Sequence, residues 1–219
     1  MMMLTILGNE NTILNRFLAQ LRDMEIQKNP MLFRKNLERI GEIMAYEISK
    51  TLSYKQRTVS TPLGEADMYL PDQEVVLATI LRAGIPMHNG FLNVYDDSPS
   101  AFVSAYRHYS KDGSFKIDIE SLTTPDLAGK TLILTDPMLA TGQSIEVAYN
   151  NLIQSGGEPA FTHIATVIAS QDGVDYVRKH FSSKRFHLWT VAVDEEMTVK
   201  SYIVPGIGDT GDLAFGEKI

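Results

Sequence analysis

Five short β-rich runs, with helix-like stretches between most of them, limit the fold of this chain more than any other feature. They cover residues 75–80, 101–106, 131–135, 163–169 and 186–193, and helical periodicity appears at 87–94, 144–154 and 174–181. Strands alternating with helices imply an α/β fold, a mainly parallel five-stranded sheet flanked by helices. The run Thr131-Leu-Ile-Leu-Thr135 lacks polar alternation, as expected of a sheet covered on both faces. Upstream, Ile13, Leu14, Phe17, Leu18 and Leu21 form one apolar helical stripe. Asn29-Pro30 interrupts it, and Leu32, Phe33, Leu37, Ile40, Ile43, Met44 and Ile48 form a second. Residues 51–71 read as two extended segments around the turn Pro62-Leu63-Gly64, and the tail from Tyr202 reads as Gly-rich and irregular. Repeats, low-complexity tracts and linkers are absent from the sequence. The 219 residues are therefore expected to form one domain, with an N-terminal helical and extended arm (1–71), a core sheet (72–195) and a C-terminal segment (196–219).

Charge and composition exclude several functions. The chain has 20 Lys and Arg against 27 Asp and Glu, a net charge of −7, and no cysteine. Disulfides, zinc–thiolate sites and thiol nucleophiles are thereby removed. The acidic balance opposes a broad nucleic-acid face, which needs clustered cations, but leaves room for a small anionic ligand in a local pocket. The apolar stretch at 1–7 has no basic residue before it and meets Gly8-Asn9-Glu10 at once, unlike a signal peptide. The apolar run at 75–81 is far short of the ~20 residues that span a bilayer. The expected location is cytoplasmic, with no membrane partner. His88, His108, His163, His180 and His187 lack metal-ligand spacing; His163 and His187 lie in apolar strands and read as structural, and Trp189 reads as core.

The most informative segment is 132–145, which runs strand, acid, small polar loop, helix. In open α/β sheets ligands sit at the carboxyl ends of strands, where Asp136 leaves the sheet. Ala140-Thr141-Gly142-Gln143-Ser144 then enters a helix N-terminus, whose free N–H groups and dipole favour phosphate. Gly142 allows close backbone approach, Thr141 and Ser144 add hydroxyl donors, and Asp136 can accept from ribose hydroxyls. A plain strand–turn–helix junction explains D-x-x-x-x-T-G equally well when that motif stands alone. The other two common phosphate motifs, G-x-x-x-x-G-K-[ST] and a G-x-G-x-x-G after a strand, are absent.

Asp136-Pro-Met-Leu-Ala-Thr-Gly-Gln-Ser144 resembles the phosphoribosyl-diphosphate (PRPP) loop of type I phosphoribosyltransferases. With Pro137 in place of a second acid, it resembles the uracil phosphoribosyltransferase family in particular. Ile80-Leu-Arg-Ala-Gly-Ile85, the pair Tyr106-Arg107, and Tyr202-Ile-Val-Pro-Gly-Ile-Gly-Asp-Thr-Gly-Asp212 agree with that family in order, as do Leu21-Arg22-Asp23 and Tyr46-Glu47 near the start. The resemblance implies the type I phosphoribosyltransferase fold with a C-terminal uracil-binding hood at 196–219. It also implies transfer of the 5-phosphoribosyl group of PRPP to uracil, giving UMP and pyrophosphate, with Mg2+ as the cofactor and a homodimer or larger homo-oligomer as the assembly. GTP activates some relatives.

Residue by residue, the resemblance assigns Arg82, Arg107, Asp136 and Asp209 to catalysis. PRPP would be held by these four and by Pro137, Met138, Leu139, Ala140, Thr141, Gly142, Gln143 and Ser144. Ile203, Gly208, Asp209 and Thr210 would read uracil, and Asp209 would face the magnesium ion through water or PRPP. Asp212 reads as structural. The sequence departs from the family at four places. Gln143 stands where glycine is usual, and a left-handed backbone there would cost about 1 kcal/mol or more. Thr210 replaces alanine in the hood, Tyr109-Ser110-Lys111 replaces an acidic Glu-Thr in the loop at 108–118, and Pro86 follows Ile85. Two alternatives stay open: a phosphoribosyltransferase for another base, and a non-catalytic nucleotide-sensing regulator of the same fold.

Overall fold

The five expected strands form the interior of a seven-stranded sheet. The structure, a computed structural model, describes residues 2–109, 115–181 and 184–217, and their side chains except at 106–109, 115 and 116. In chain order the main elements begin with β1 (Met3–Ile6), α1 (Ile13–Arg22), α2 (Pro30–Ser49), β2 (Tyr54–Thr61), β3 (Gly64–Pro71), β4 (Val75–Leu81) and α3 (Ile85–Leu92). There follow β5 (Ser100–Tyr109), β6 (Phe115–Thr123), β7 (Thr131–Thr135), β8 (Met138–Leu139), α4 (Gln143–Gly156), β9 (Phe161–Ala165), β10 (Ile168–Ser170) and α5 (Gln171–His180). The chain closes with β11 (Phe186–Thr190), β12 (Ala192–Asp194), β13 (Glu196–Met197), β14 (Ile203–Val204) and α6 (Thr210–Phe215). The large sheet runs β1-β11-β9-β7-β4-β5-β6. All its pairs are parallel except β5 with β6.

Both edge strands were absent from the sequence reading. β1 is the four-residue apolar start of the chain, too short to show a period, and gains its identity from pairing with β11. β6 alternates apolar and polar from Phe115 to Glu120, a strand signal present in the sequence, before Ser121-Leu122 breaks the period. The apolar runs at 163–169 and 186–193 each break in two: their second halves, β10 and β12, leave the large sheet for a small parallel one in which β10 lies between β12 and β8. The tail is not wholly irregular, because β14 pairs with β13 and Asp209 caps the short helix α6.

Alternation along each inner strand sorts side chains into two cores, one per face. Val75, Leu77, Ile133 and Trp189 face a core with Leu14, Phe33, Leu37, Ile40, Met44, Met87 and Phe91 from α1–α3. Val76, Ala78, Leu132, Leu134 and Leu188 face one with Ile145, Ala148, Leu152, Val174 and Val177 from α4 and α5. Helices α2 and α3 meet backbone to backbone: a Cβ on Gly41 would strike the Met87 carbonyl, and one on Gly90 that of Glu38. Pro86 sits in the first turn of α3, where its missing N–H costs nothing.

The buried histidines are structural, as expected. Trp189 Nε1 donates to His163 Nδ1 at 3.1 Å, and His187 Nε2 lies 2.8 Å from Thr5 Oγ1. Burial, with the neighbouring His187, pushes His163 down to about 3, and burial alone takes His187 and His88 to about 4. These groups stay neutral when folded, while the unfolded chain protonates them near 6.5. Their contribution to stability is thus complete above pH 6.5 and is lost as pH falls towards 4. The thermal midpoint is expected to drop by about 3 °C or more between pH 6.5 and 5, and less in a His163→Gln variant. Scanning calorimetry across that range checks this; equal slopes for both proteins would refute it.

Candidate active site

Adjacent strands β4 and β7 send their following helices to opposite faces: α3 packs with the first core and α4 with the second. Such a divergence opens a crevice at the carboxyl ends of the strands. A cleft of about 420 Å³ lies there. One side is built by Ile80, Leu81, Arg82 and Ala83 at the end of β4 and by Asp136, Met138, Ala140 and Ser144 after β7. The opposite side comes from Lys200, Ser201, Tyr202 and Ile203 and from Asp209, Thr210 and Gly211 in the tail. Among the described residues, two cations and two carboxylates line the cleft, a local balance that the net charge of −7 does not reveal.

Eight of the expected site residues therefore meet in one cleft: Arg82, Asp136, Met138, Ala140, Ser144, Ile203, Asp209 and Thr210. Pro137, Leu139, Thr141, Gly142, Gln143 and Gly208 belong to the same loops but do not line it. Arg107 lies within β5, opposite the cleft-lining Ile117, rather than at the strand's end. Its side chain, and the loop residues 110–114, lie outside the described residues.

Helix capping separates the cleft helices from most of the others. Thr12, Asn29, Ser170 and Asp209 cap α1, α2, α5 and α6 with their side chains. Helices α3 and α4 begin at Gly84 and Gly142 with no side-chain cap; in α3 the Ile85 N–H donates to the Arg82 carbonyl at 3.2 Å and Pro86 has no N–H, whereas the first amides of α4 stay open towards the carboxyl end of β7. Gly142 takes the left-handed turn, φ +81°, that lets α4 start there. The strain considered for Gln143 does not arise: it is the first residue of α4, and Ser201 is the one positive-φ non-glycine among the described residues. Thr141 Oγ1 is buried with no hydrogen-bond partner, a donor suited to an anion. Asp136 Oδ1 accepts from the Met138 N–H at 3.5 Å, a long contact that turns the loop.

Arg82 is held from the tail. Its Nη2 donates to Asp212 Oδ1 at 3.0 Å and to the Gly216 carbonyl at 3.1 Å, while its buried Nε has no partner. Asp209 Oδ1 accepts from the Asp212 N–H at 3.0 Å, so the acid that lines the cleft caps the helix carrying the acid that holds Arg82. Thr210 begins α6 and is 1% exposed.

The sequence reading missed the brace beneath this tail. Arg22 forks onto Asp194, Nη1 to Oδ2 at 2.8 Å and Nη2 to Oδ1 at 2.7 Å. Both grip Gly206: its N–H donates to Asp194 Oδ2 at 2.9 Å, and its carbonyl accepts from Arg22 Nη1 at 3.0 Å. Arg22 stood in the family resemblance without a role. Asp194 ends an apolar run as the first of three consecutive acids, Asp194-Glu195-Glu196, so nothing local singles it out. Lys200 was also missed, since nothing nearby in sequence separates it from a surface lysine.

Comparison with known proteins agrees with this geometry. Residues 9–217 match the family described as uracil phosphoribosyltransferase. The uracil phosphoribosyltransferase of Porphyromonas gingivalis is 53% identical over 213 residues, covering 97% of this chain and 98% of that protein. The enzyme of the same name from Methanothermobacter thermautotrophicus is 36% identical over 209 residues, covering 94% and 93%. Among solved structures, the AQ2163 protein of Aquifex aeolicus superposes with a TM-score of 0.86 at 27% identity, covering 98% of each chain.

Proposed function

The chain belongs to the uracil phosphoribosyltransferase family, and from that premise we propose how its cleft divides the labour of transfer. The reaction joins uracil N1 to C1 of PRPP as the bond from C1 to pyrophosphate breaks, giving UMP and pyrophosphate. Carbon C1 gains oxocarbenium character on the way. The chain must therefore align two reactants, stabilise a departing anion and keep water out. Thr141 and the open amides of α4 take the 5′-phosphate, and Asp136 accepts from the ribose hydroxyls. Arg82 meets the pyrophosphate, and Arg107, on the strand beside β4, assists there. The backbone of Ile203, Gly208 and Thr210 reads the two carbonyls and the N3–H of uracil, with no charged side chain needed. The observation that carries this reading is the meeting of the phosphate loop and the tail segment in one cleft. An assay of pyrophosphate release with uracil and PRPP tests it.

Magnesium completes the proposal. Among the described residues no three Asp, Glu or His side chains group as a metal cage. Asp136 and Asp209 are the carboxylates lining the cleft. Mg2+ usually keeps several waters and shares substrate phosphate oxygens, so this hard, sparse donor set fits it. Asp209 would hold it through water, and the ion would supply charge neutralisation to the diphosphate. Excess chelator is expected to lower the rate by about a hundredfold or more, with recovery on adding Mg2+; an undiminished rate would contradict the ion's role.

We further read residues 1–219 as one unit that assembles with copies of itself in the cytoplasm. Support comes from the hairpin β2–β3, whose strands, among the described residues, pair only with each other. It presents Leu63, Met68 and Tyr69 at 100%, 48% and 67% exposure. A lone two-stranded hairpin is marginal in water, and a second copy would cover it. Tyr69→Asp is expected to shift sedimentation velocity profiles towards monomer; an unchanged profile would remove the hairpin from the interface.

A further inference from the structure

We propose that Tyr176 on α5 is a positioning residue for the phosphate loop, setting PRPP affinity from behind the cleft. This rests on the reading of 136–144 as the PRPP loop. Ser170, Gly173 and Tyr176 recur every third residue and share one face of α5. Each touches that loop or the helix it starts. Ser170 Oγ donates to the Ala140 carbonyl at 2.5 Å and accepts the Gly173 N–H at 2.8 Å. Gly173 packs so closely that a Cβ there would lie 2.5 Å from the Ala140 oxygen and 2.6 Å from that of Leu139. Tyr176 covers Gly142, where a Cβ would meet its ring carbon at 2.6 Å.

The ring thus fills the space beside the one left-handed residue of the loop. A bare glycine there would have wide backbone freedom, and freedom in an anion cradle must be given up when the anion binds. The hydroxyl does a second task. It donates a short hydrogen bond to Glu146 in the first turn of α4. Glu146 is an acid near amides that must meet a phosphate, and it does not line the cleft. Tyr176 fixes it in that position. The carboxylate in turn pushes the Tyr176 hydroxyl up to about 12, so it remains a donor throughout the working pH range. On the far side His180 stacks on the ring with centroids 3.9 Å apart, its Nδ1 lying 2.8 Å from the Tyr176 carbonyl. The ring is pinned between helix and loop.

The test is steady-state kinetics, with calorimetric titration of PRPP in the presence of Mg2+, on the wild-type protein, Tyr176→Ala and Tyr176→Phe. Tyr176 is half-buried on a helix face, so the alanine variant keeps its cores. Tyr176→Ala is expected to weaken PRPP by about tenfold in both KM and Kd, with the KM for uracil and kcat within about twofold. Tyr176→Phe restores the ring and recovers most of the PRPP affinity. Unchanged PRPP affinity in Tyr176→Ala would overturn the proposal. So would an equal rise in both KM values, or a phenylalanine variant no better than alanine. A wild-type protein that neither binds PRPP nor forms UMP would instead overturn the underlying reading of the loop.

Discussion

Arg82→Ala is expected to lower kcat/KM for UMP formation by about a hundred- to a thousandfold, the range seen when a preorganised donor to developing charge is removed. Arg82 stands at the carboxyl end of β4, on the cleft wall that faces the tail. Its guanidinium is already oriented by Asp212 and the Gly216 carbonyl, yet Nε is buried with no partner. A group fixed in this way loses little freedom when an anion arrives, so in the proposed role its contribution would fall on the departing pyrophosphate. Stability should change little, because Arg82 and Asp212 are both 35% exposed and water screens such pairs. Arg82→Lys should recover part of the rate, keeping the charge but losing the planar fork. The check is pyrophosphate release at saturating uracil, beside a thermal midpoint for each variant. A rate within about threefold of wild type in Arg82→Ala would remove the residue from the chemistry.

Asp194→Ala should have the largest effect on stability. Asp194 is 7% exposed and answers three donors: the two nitrogens of Arg22 and the Gly206 N–H. Removing the carboxylate leaves a half-buried guanidinium with the Gly206 carbonyl but no counter-charge, and the buried Gly206 amide without its partner. Breaking one side of such a pair costs about 3–5 kcal/mol, which for a chain of this size lowers the midpoint by about 10 °C. Because Gly206 lies between Ile203 and Gly208, the loss should also raise the KM for uracil more than that for PRPP. Asp194→Asn keeps an acceptor for Gly206 and should be milder on both counts. Thermal unfolding and the two KM values check this; a midpoint within 1 °C or so of wild type would mean that the brace carries no weight.

These two predictions differ in how far sequence alone reaches. Arg82 was legible because it sits in a short segment whose neighbours, a continuous apolar strand and Ala83-Gly84, announce a strand end with room beside it. The loop from Asp136 to Ser144 was legible for the same reason: strand, turn and helix start are contiguous, so the local chain carries the whole signal. The brace of Arg22 on Asp194 joins residues 172 positions apart, and no local pattern pairs them. Tyr176 was hidden similarly. Its spacing from Ser170 and Gly173 is visible in sequence, but the loop it covers is reached only when α5 docks on β8 and α4. Edge strand β1 gains its character from a partner rather than a period, whereas the alternation of β6 from Phe115 to Glu120 is written in the sequence. Gln143 shows the reverse case, where the left-handed backbone considered for it falls on Gly142 instead.

The measurement that bears most directly on the whole account is product formation from PRPP and Mg2+ with uracil, cytosine, hypoxanthine and xanthine offered separately. The cleft as described predicts UMP and pyrophosphate in equal amounts with uracil, and rates lower by about a hundredfold or more with the other bases. No UMP from uracil, or faster transfer to one of the other three bases, would contradict it.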